Sequence, residues 1–180
     1  MSLEQLINDC KNEKRKAQEQ LYRLFSPKLF AVCLKYSRNK AEAEDNLQDA
    51  FLTIFKKISQ YNFKGSFEGW MRRITVNTIL QKFRKENVFE IINDSLVDVP
   101  LEVEINDVDL PLDYLLKLIQ ELPDRYRLTF NLYVLDDYSH KEIANMMHIT
   151  EGTSKSNLAR AKLILKQKIE KNYAKKSNSI

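Results

Sequence analysis

Between residues 61 and 85, aromatic and basic side chains are interleaved. Tyr61, Phe63, Phe67, Trp70 and Phe83 alternate with Lys64, Arg72, Arg73, Lys82, Arg84 and Lys85. Aromatic faces can stack on unpaired nucleobases, each worth about 1–3 kcal/mol, while guanidinium and ammonium groups hold phosphates. On a helix Trp70, Arg73, Asn77 and Arg84 share one side, where the Asn77 amide can read a base edge. Trp70 also completes a core stripe with Phe67, Met71 and Ile74, a use of the ring that competes with stacking on DNA. Arg73, Asn77 and Arg84 have no such competing use.

A second constellation lies nearer the C-terminus. Ser139-His140-Lys141-Glu142 has the form of a capping box, with the serine side chain on a free N–H and Glu142 reaching back to the backbone. Ile143, Ala144 and Met147 then face inward. The helix should stop near His148 and Ile149, with Thr150 capping a second helix that begins Glu151-Gly152-Thr153. On that helix Ser154, Leu158, Ala161, Leu165 and Ile169 form the inner stripe. Thr153, Ser156, Asn157 and Arg160 fall on a different face, flanked by Lys155 and Lys162. Short donors at a helix start followed by bases suit a helix laid in a major groove. Two consecutive capped helices with a three-residue turn define a helix-turn-helix, and that favours DNA over a merely solvated charged face. His148 stands where glycine is common, and histidine is among the residues that tolerate the left-handed region.

The third surface belongs to residues 41–58. Leu47, Ala50, Phe51, Ile54, Phe55 and Ile58 make a buried stripe, and Asp45, Gln48, Asp49, Leu52 and Lys56 lie opposite. Leu52 is an apolar side chain within an acidic and amide surface. It reads either as an anchor for a protein partner, ringed by charges, or as one stray exposed leucine.

These surfaces need helices to carry them. Helical spacing begins near Ala17 and continues through Leu21, Leu24, Phe25, Leu29 and Cys33, with Pro27 expected to kink or split the helix. Further helices are expected over residues 41–58 and 67–85, separated by a break near residues 61–65. Leu112, Leu115, Leu116, Ile119 and Leu122 predict one apolar stripe, and Pro123 a new helix start. Three glycines and four prolines in 180 residues disfavour a turn-rich β architecture.

Charge divides the chain. Residues 1–86 carry a net +7, residues 87–112 a net −7 with no base, and residues 113–180 a net +4. Basic blocks on either side of an acidic stretch imply two places of polyanion contact. The fold class is therefore all-α, with two small helical domains joined by a flexible acidic linker. The expected division is an N-terminal domain 1–86, linker 87–111, helix-turn-helix domain 112–172 and disordered tail 173–180.

Other chemistries find little support. Cys10 and Cys33 read as reduced thiols, without metal-ligand spacing or a disulfide framework. His140 and His148 lack the spacing of a metal site, and Asp136 and Asp137 read as solvated loop acids. No catalytic residue, metal or cofactor is expected, so the protein is not expected to be an enzyme. No run approaches the ~18 apolar residues of a membrane span, and the N-terminus lacks a secretory pattern. A soluble cytoplasmic protein is expected.

Nearly the whole chain, about residues 15–170, resembles bacterial RNA polymerase sigma factors of the extracytoplasmic-function (ECF) group. Ala43-Glu44-Asp45-Asn46-Leu47-Gln48-Asp49-Ala50-Phe51 is similar to the family's polymerase-binding helix. The likeness implies that Asp45, Gln48, Asp49 and Leu52 dock on the β′ clamp helices. Phe67-Glu68-Gly69-Trp70-Met71-Arg72-Arg73-Ile74-Thr75-Val76-Asn77 resembles the segment that melts and reads the −10 element. Tyr61, Phe63, Lys64, Trp70, Arg73, Asn77 and Arg84 would then meet single-stranded DNA, with residues 61–66 as the loop that captures an unpaired base. Residues 139–162 resemble the −35-binding helix-turn-helix, which implies Lys141, Thr153, Lys155, Ser156, Asn157 and Arg160 as contacts. Arg125 and Arg127 fall where the family touches DNA backbone.

The chain departs from the family pattern at His148, at Ser154 for a usual valine, which should loosen the inner packing, and at Asn157 where arginine is frequent. The implied partners are polymerase core, through its β′ clamp helices and β flap, promoter DNA and an anti-sigma factor, without direct membrane insertion. The acidic linker is either threaded through the polymerase cleft or a solvated spacer. The competing reading is a conventional helix-turn-helix transcriptional regulator whose N-terminal domain dimerises or senses a ligand.

Overall fold

A computed structural model of the chain describes residues 2–86 and 110–177. The acidic linker, apart from Leu110 and Pro111, lies outside the described residues, as do residues 178–180. The chain divides into two compact units, Met1–Lys82 and Phe83–Ile180. Every regular element among the described residues is helical.

The first unit begins with α1 (Leu3–Lys11), which the spacing analysis missed. Its signals are local: Ser2 caps the first turn by accepting from the Gln5 N–H, and Leu6, Ile7 and Cys10 recur on one buried face. Helix α2 (Arg15–Tyr36) runs without interruption through Pro27, contrary to the expected split. A proline removes one backbone donor, but Pro27 is exposed, so water can serve the carbonyl it strands. Helix α3 (Lys40–Lys57) is capped by the Asn39 side chain, which accepts from Glu42 N–H at 2.9 Å, and ends on Lys56 and Lys57, suiting its negative pole. A 3₁₀ turn (Ile58–Gln60) and a short loop lead to α4 (Phe67–Lys85). Leu21, Leu29, Ala50, Ile54, Met71, Ile79 and Leu80 are buried between these helices. Full burial of each large aliphatic side chain favours folding by about 1.5–3 kcal/mol.

In the second unit α5 (Leu112–Gln120) and α6 (Asp124–Phe130) precede a π-helical turn (Asn131–Leu135), then α7 (His140–Met147) and α8 (Glu151–Ser177). Leu118, Leu122, Tyr126, Phe130, Leu158, Ala161, Leu165 and Ile169 form the core. The expected α5 stripe is rotated: Leu118 and Leu122 are buried, Leu115 and Leu116 only half-buried, and Leu112 exposed. Helix α5 stops at Gln120, so Leu122 enters the core from the turn, off the helical register. Helix α8 continues to Ser177, into the range 173–180 expected to form the tail.

Candidate nucleic-acid interface

Helices α7 and α8 form the expected helix-turn-helix. Both bonds of the capping box are present: Ser139 N–H donates to Glu142 Oε2 at 2.8 Å, and Glu142 N–H to Ser139 Oγ at 3.3 Å. His148 adopts the left-handed conformation (φ 57°, ψ 44°) that ends α7. Thr150 Oγ1 accepts from Thr153 N–H at 3.0 Å and so caps α8. Ile143, Ala144 and Met147 face inward together with Leu158, Ala161, Leu165 and Ile169.

Ser154, also fully buried, does not simply loosen that packing as expected. Its hydroxyl lies 2.9 Å from His140 Nδ1, a hydrogen bond between the two helices that valine could not make. The His140 ring stacks on Tyr133 at 4.4 Å. Partial burial holds the His140 pKa below its ordinary value, with Lys155 and Lys162 adding to the effect and Glu151 opposing it.

Lys155 and Ser156 are exposed near the start of α8, as is Lys141 on α7; Thr153 and Arg160 are half-buried. Arg160 Nη1 donates to the Tyr126 hydroxyl at 3.1 Å, and Arg125 Nη2 to the same oxygen at 3.1 Å. The Arg125 guanidinium also lies over the Tyr126 ring, 4.9 Å from its centre. Tyr126, absent from the expected site, therefore organises two of its cations.

Two residues expected on this surface belong to the interior. Asn157 is only 6% exposed. It lies one helical turn from both Ser154 and Ala161, on the flank of the buried stripe. Arg127 is 1% exposed; it donates to the carbonyls of Leu122 at 2.8 Å and Gln120 at 3.2 Å and pairs with Asp124. Gln120 is the last residue of α5 and Leu122 lies in the turn after it, so Arg127 closes a helix terminus.

In the first unit, α3 presents Asp45, Gln48, Asp49 and Leu52 outward, with Leu52 59% exposed. Leu47, Ala50, Phe51 and Ile54 bury the opposite side, and Phe55 is half-buried. Tyr22 of α2, itself exposed, packs on Phe51 at 4.6 Å and extends the apolar part of this region.

The loop before α4 is an aromatic knot. Tyr61 is 5% exposed, packed between Phe67 and Trp70, with its hydroxyl donated to the Gly65 carbonyl at 2.8 Å. Its ring pins the loop from inside, with little of its surface open to a ligand. Phe63 is 43% exposed, and Trp70 is half-buried, stacked on Phe67 at 5.6 Å. Phe63 has φ 61°, a region that costs a residue with a Cβ about 1–2 kcal/mol. Lys64 and Arg73 are exposed, while Asn77 and Arg84 are half-buried. An open cleft of about 570 Å³ lies between this loop and α1, a size within the ~300–1,000 Å³ usual for small-ligand sites. Cys10 and Cys33 have thiols pushed up to about 11 and about 12 by burial, which keeps them protonated and unreactive.

The described residues are all-α, with a capped helix-turn-helix in one unit and, in the other, exposed Phe63, Lys64 and Arg73 beside a packed aromatic loop. Residues 21–88 match Sigma-70 region 2, and residues 112–165 match Sigma-70 region 4. The chain belongs to the sigma-70 family. It is 25% identical to ECF RNA polymerase sigma factor SigW of Bacillus subtilis, over 94% of this chain and 97% of that protein. It is 28% identical to ECF RNA polymerase sigma factor SigM of Bacillus subtilis, over 82% of this chain and 92% of that protein. Its fold is similar to the sigma factor RpoE of Bartonella quintana, solved with the anti-sigma factor NepR. That match has a TM-score of 0.53 at 22% identity and covers 84% of this chain and 96% of that one.

Proposed function

We propose that this protein, as a sigma factor, directs RNA polymerase to promoters and assists DNA strand opening. The observation that carries the reading is the order of the two matched regions, region 2 over residues 21–88 and region 4 over residues 112–165. The α8 face, with Lys155, Ser156, Thr153 and Arg160, reads the −35 duplex, with Arg125 and Lys141 on the adjacent phosphates. Phe63, Lys64, Trp70, Arg73, Asn77 and Arg84 take the unpaired −10 strand, each captured base offsetting a few kcal/mol of unstacking. The acidic face of α3, anchored by Leu52, docks on the β′ clamp helices.

The protein supplies position and strand capture, and the polymerase makes the bonds. Core enzyme holds the two units on one promoter, so the second contact is intramolecular and each can be weak alone. No described helix is long and apolar enough to cross a membrane. A conventional regulator would not need a region 2 surface. Run-off transcription with polymerase core over a promoter library tests the reading. A defined start site dependent on this protein is expected, and its absence, together with failure to bind core, would exclude it.

A further inference from the structure

Helix α1 lies wholly before residue 21, where the match to region 2 begins, yet it forms one wall of the cleft beside the loop of residues 61–66. Leu3, Glu4 and Ile7 line one side, and Phe63, Gly65 and Ser66 the other. At the end of α1, half-buried Lys11 reaches across. Its Nζ donates to the Tyr61 carbonyl at 2.7 Å and lies over the Phe63 ring, 4.6 Å from the centre.

The two contacts act on one strained element. Phe63 is held at positive φ, a conformation that persists only where the surroundings over-determine it. Tyr61 anchors one end of the turn through its ring and its bond to the Gly65 carbonyl. The exposed Phe63 ring packs on Tyr61 within the loop at 5.2 Å, and Lys11 reaches it from outside the loop. A cation on one face of the ring leaves the rest of it presented toward solvent.

We infer that Lys11 is a positioning residue for strand capture: it fixes the loop so that the Phe63 ring is presented, preorganised, to one unpaired nucleobase. This rests on the reading of that loop as the base-capturing element. Preorganisation matters because a loop that must order on binding gives up affinity to its lost freedom.

The test uses holoenzyme assembled from polymerase core and the full chain, with two probes: a mixed-sequence single-stranded oligonucleotide and the same sequence as duplex. Lys11→Met should weaken single-strand binding about five- to tenfold, the effect of one charge-assisted contact. Duplex binding and core affinity should not change, and Lys11→Arg, which keeps charge and donors, should restore single-strand binding. Lys11→Gln, a milder change should Lys11→Met disturb folding, must show the same selective loss. Unchanged single-strand affinity, equal loss on both probes, or no rescue by arginine would each overturn the inference. Phe63→Ala separates the two levels. If it also leaves single-strand binding intact, the base-capture reading fails; if it weakens binding while Lys11→Met does not, only the role of Lys11 fails.

Discussion

Arg160 on the recognition helix donates to the hydroxyl of Tyr126, 34 residues earlier on α6, at 3.1 Å. Arg125 donates to the same oxygen, so a single phenol orients two cations, the proposed contacts with −35 DNA. Removing that oxygen leaves every charge in place and the buried ring intact. Tyr126→Phe should therefore weaken −35 duplex binding several-fold while costing only about 1 kcal/mol in stability. Lys141→Ala should differ in kind, lowering the slope of log affinity against log salt by about one as a phosphate contact is lost. Anisotropy titrations at several salt concentrations distinguish the two. An unchanged Tyr126→Phe affinity would show that the arginines orient themselves.

Arg127 and Arg125 stand two residues apart and should behave oppositely. Replacing buried Arg127 by alanine strands Asp124 and the Gln120 and Leu122 carbonyls, at a cost of about 3 kcal/mol or more. Half-buried Arg125→Ala should leave the melting temperature nearly unchanged and weaken duplex binding. Thermal unfolding alongside DNA binding checks the pair, and a stable Arg127→Ala protein with impaired DNA affinity would reverse the assignment.

The α3 surface can be tested without touching DNA. Leu52→Ala combined with Asp49→Lys should abolish association with polymerase core and leave helicity intact, since both side chains point outward. Core pull-down and circular dichroism give the two readings. Retained core affinity would remove this face from the interface.

Asn77, half-buried on α4, has a narrower role. Asn77→Ala should impair opening of duplex promoters and spare −35 duplex binding. Permanganate footprinting of melted thymines, set beside duplex affinity, decides it; equal loss in both would make Asn77 structural.

His140 predicts a pH dependence. Its folded-state pKa lies below the ordinary 6.5, chiefly through burial, so the unfolded chain takes up a proton more readily. The contribution of neutral His140 is fully present above about pH 6.5 and falls as pH drops from there toward the lower folded value. Unfolding of wild type and His140→Gln between pH 7.5 and 5 should show a steeper acid loss for wild type; parallel curves would contradict it.

The local devices were legible in the sequence because their physics is local. The Ser139–Glu142 capping box, the Thr150 cap, the left-handed His148 and the inner stripe of α8 are each set by residues within one or two turns. So was the outward face of α3, since strict helical periodicity separates Leu52 from Leu47 and Ile54 whatever the partner helices are. Even α1 carried its signal, in Ser2 and the spacing of Leu6, Ile7 and Cys10.

Where a helix carries polar residues on more than one side, sequence alone could not say which of them tertiary neighbours would enclose. Asn157 and Arg127 look like DNA contacts in the sequence and are interior in the fold, where neighbouring elements, for Arg127 the end of α5, decide what water can reach. Tyr61 is packed against Phe67 for the same reason, and Ser154 gained in His140 a partner from another helix. Tyr126 and Lys11 gave no sign at all: each acts on residues far off in the chain, 34 and 50 positions away, and only folding supplies that proximity.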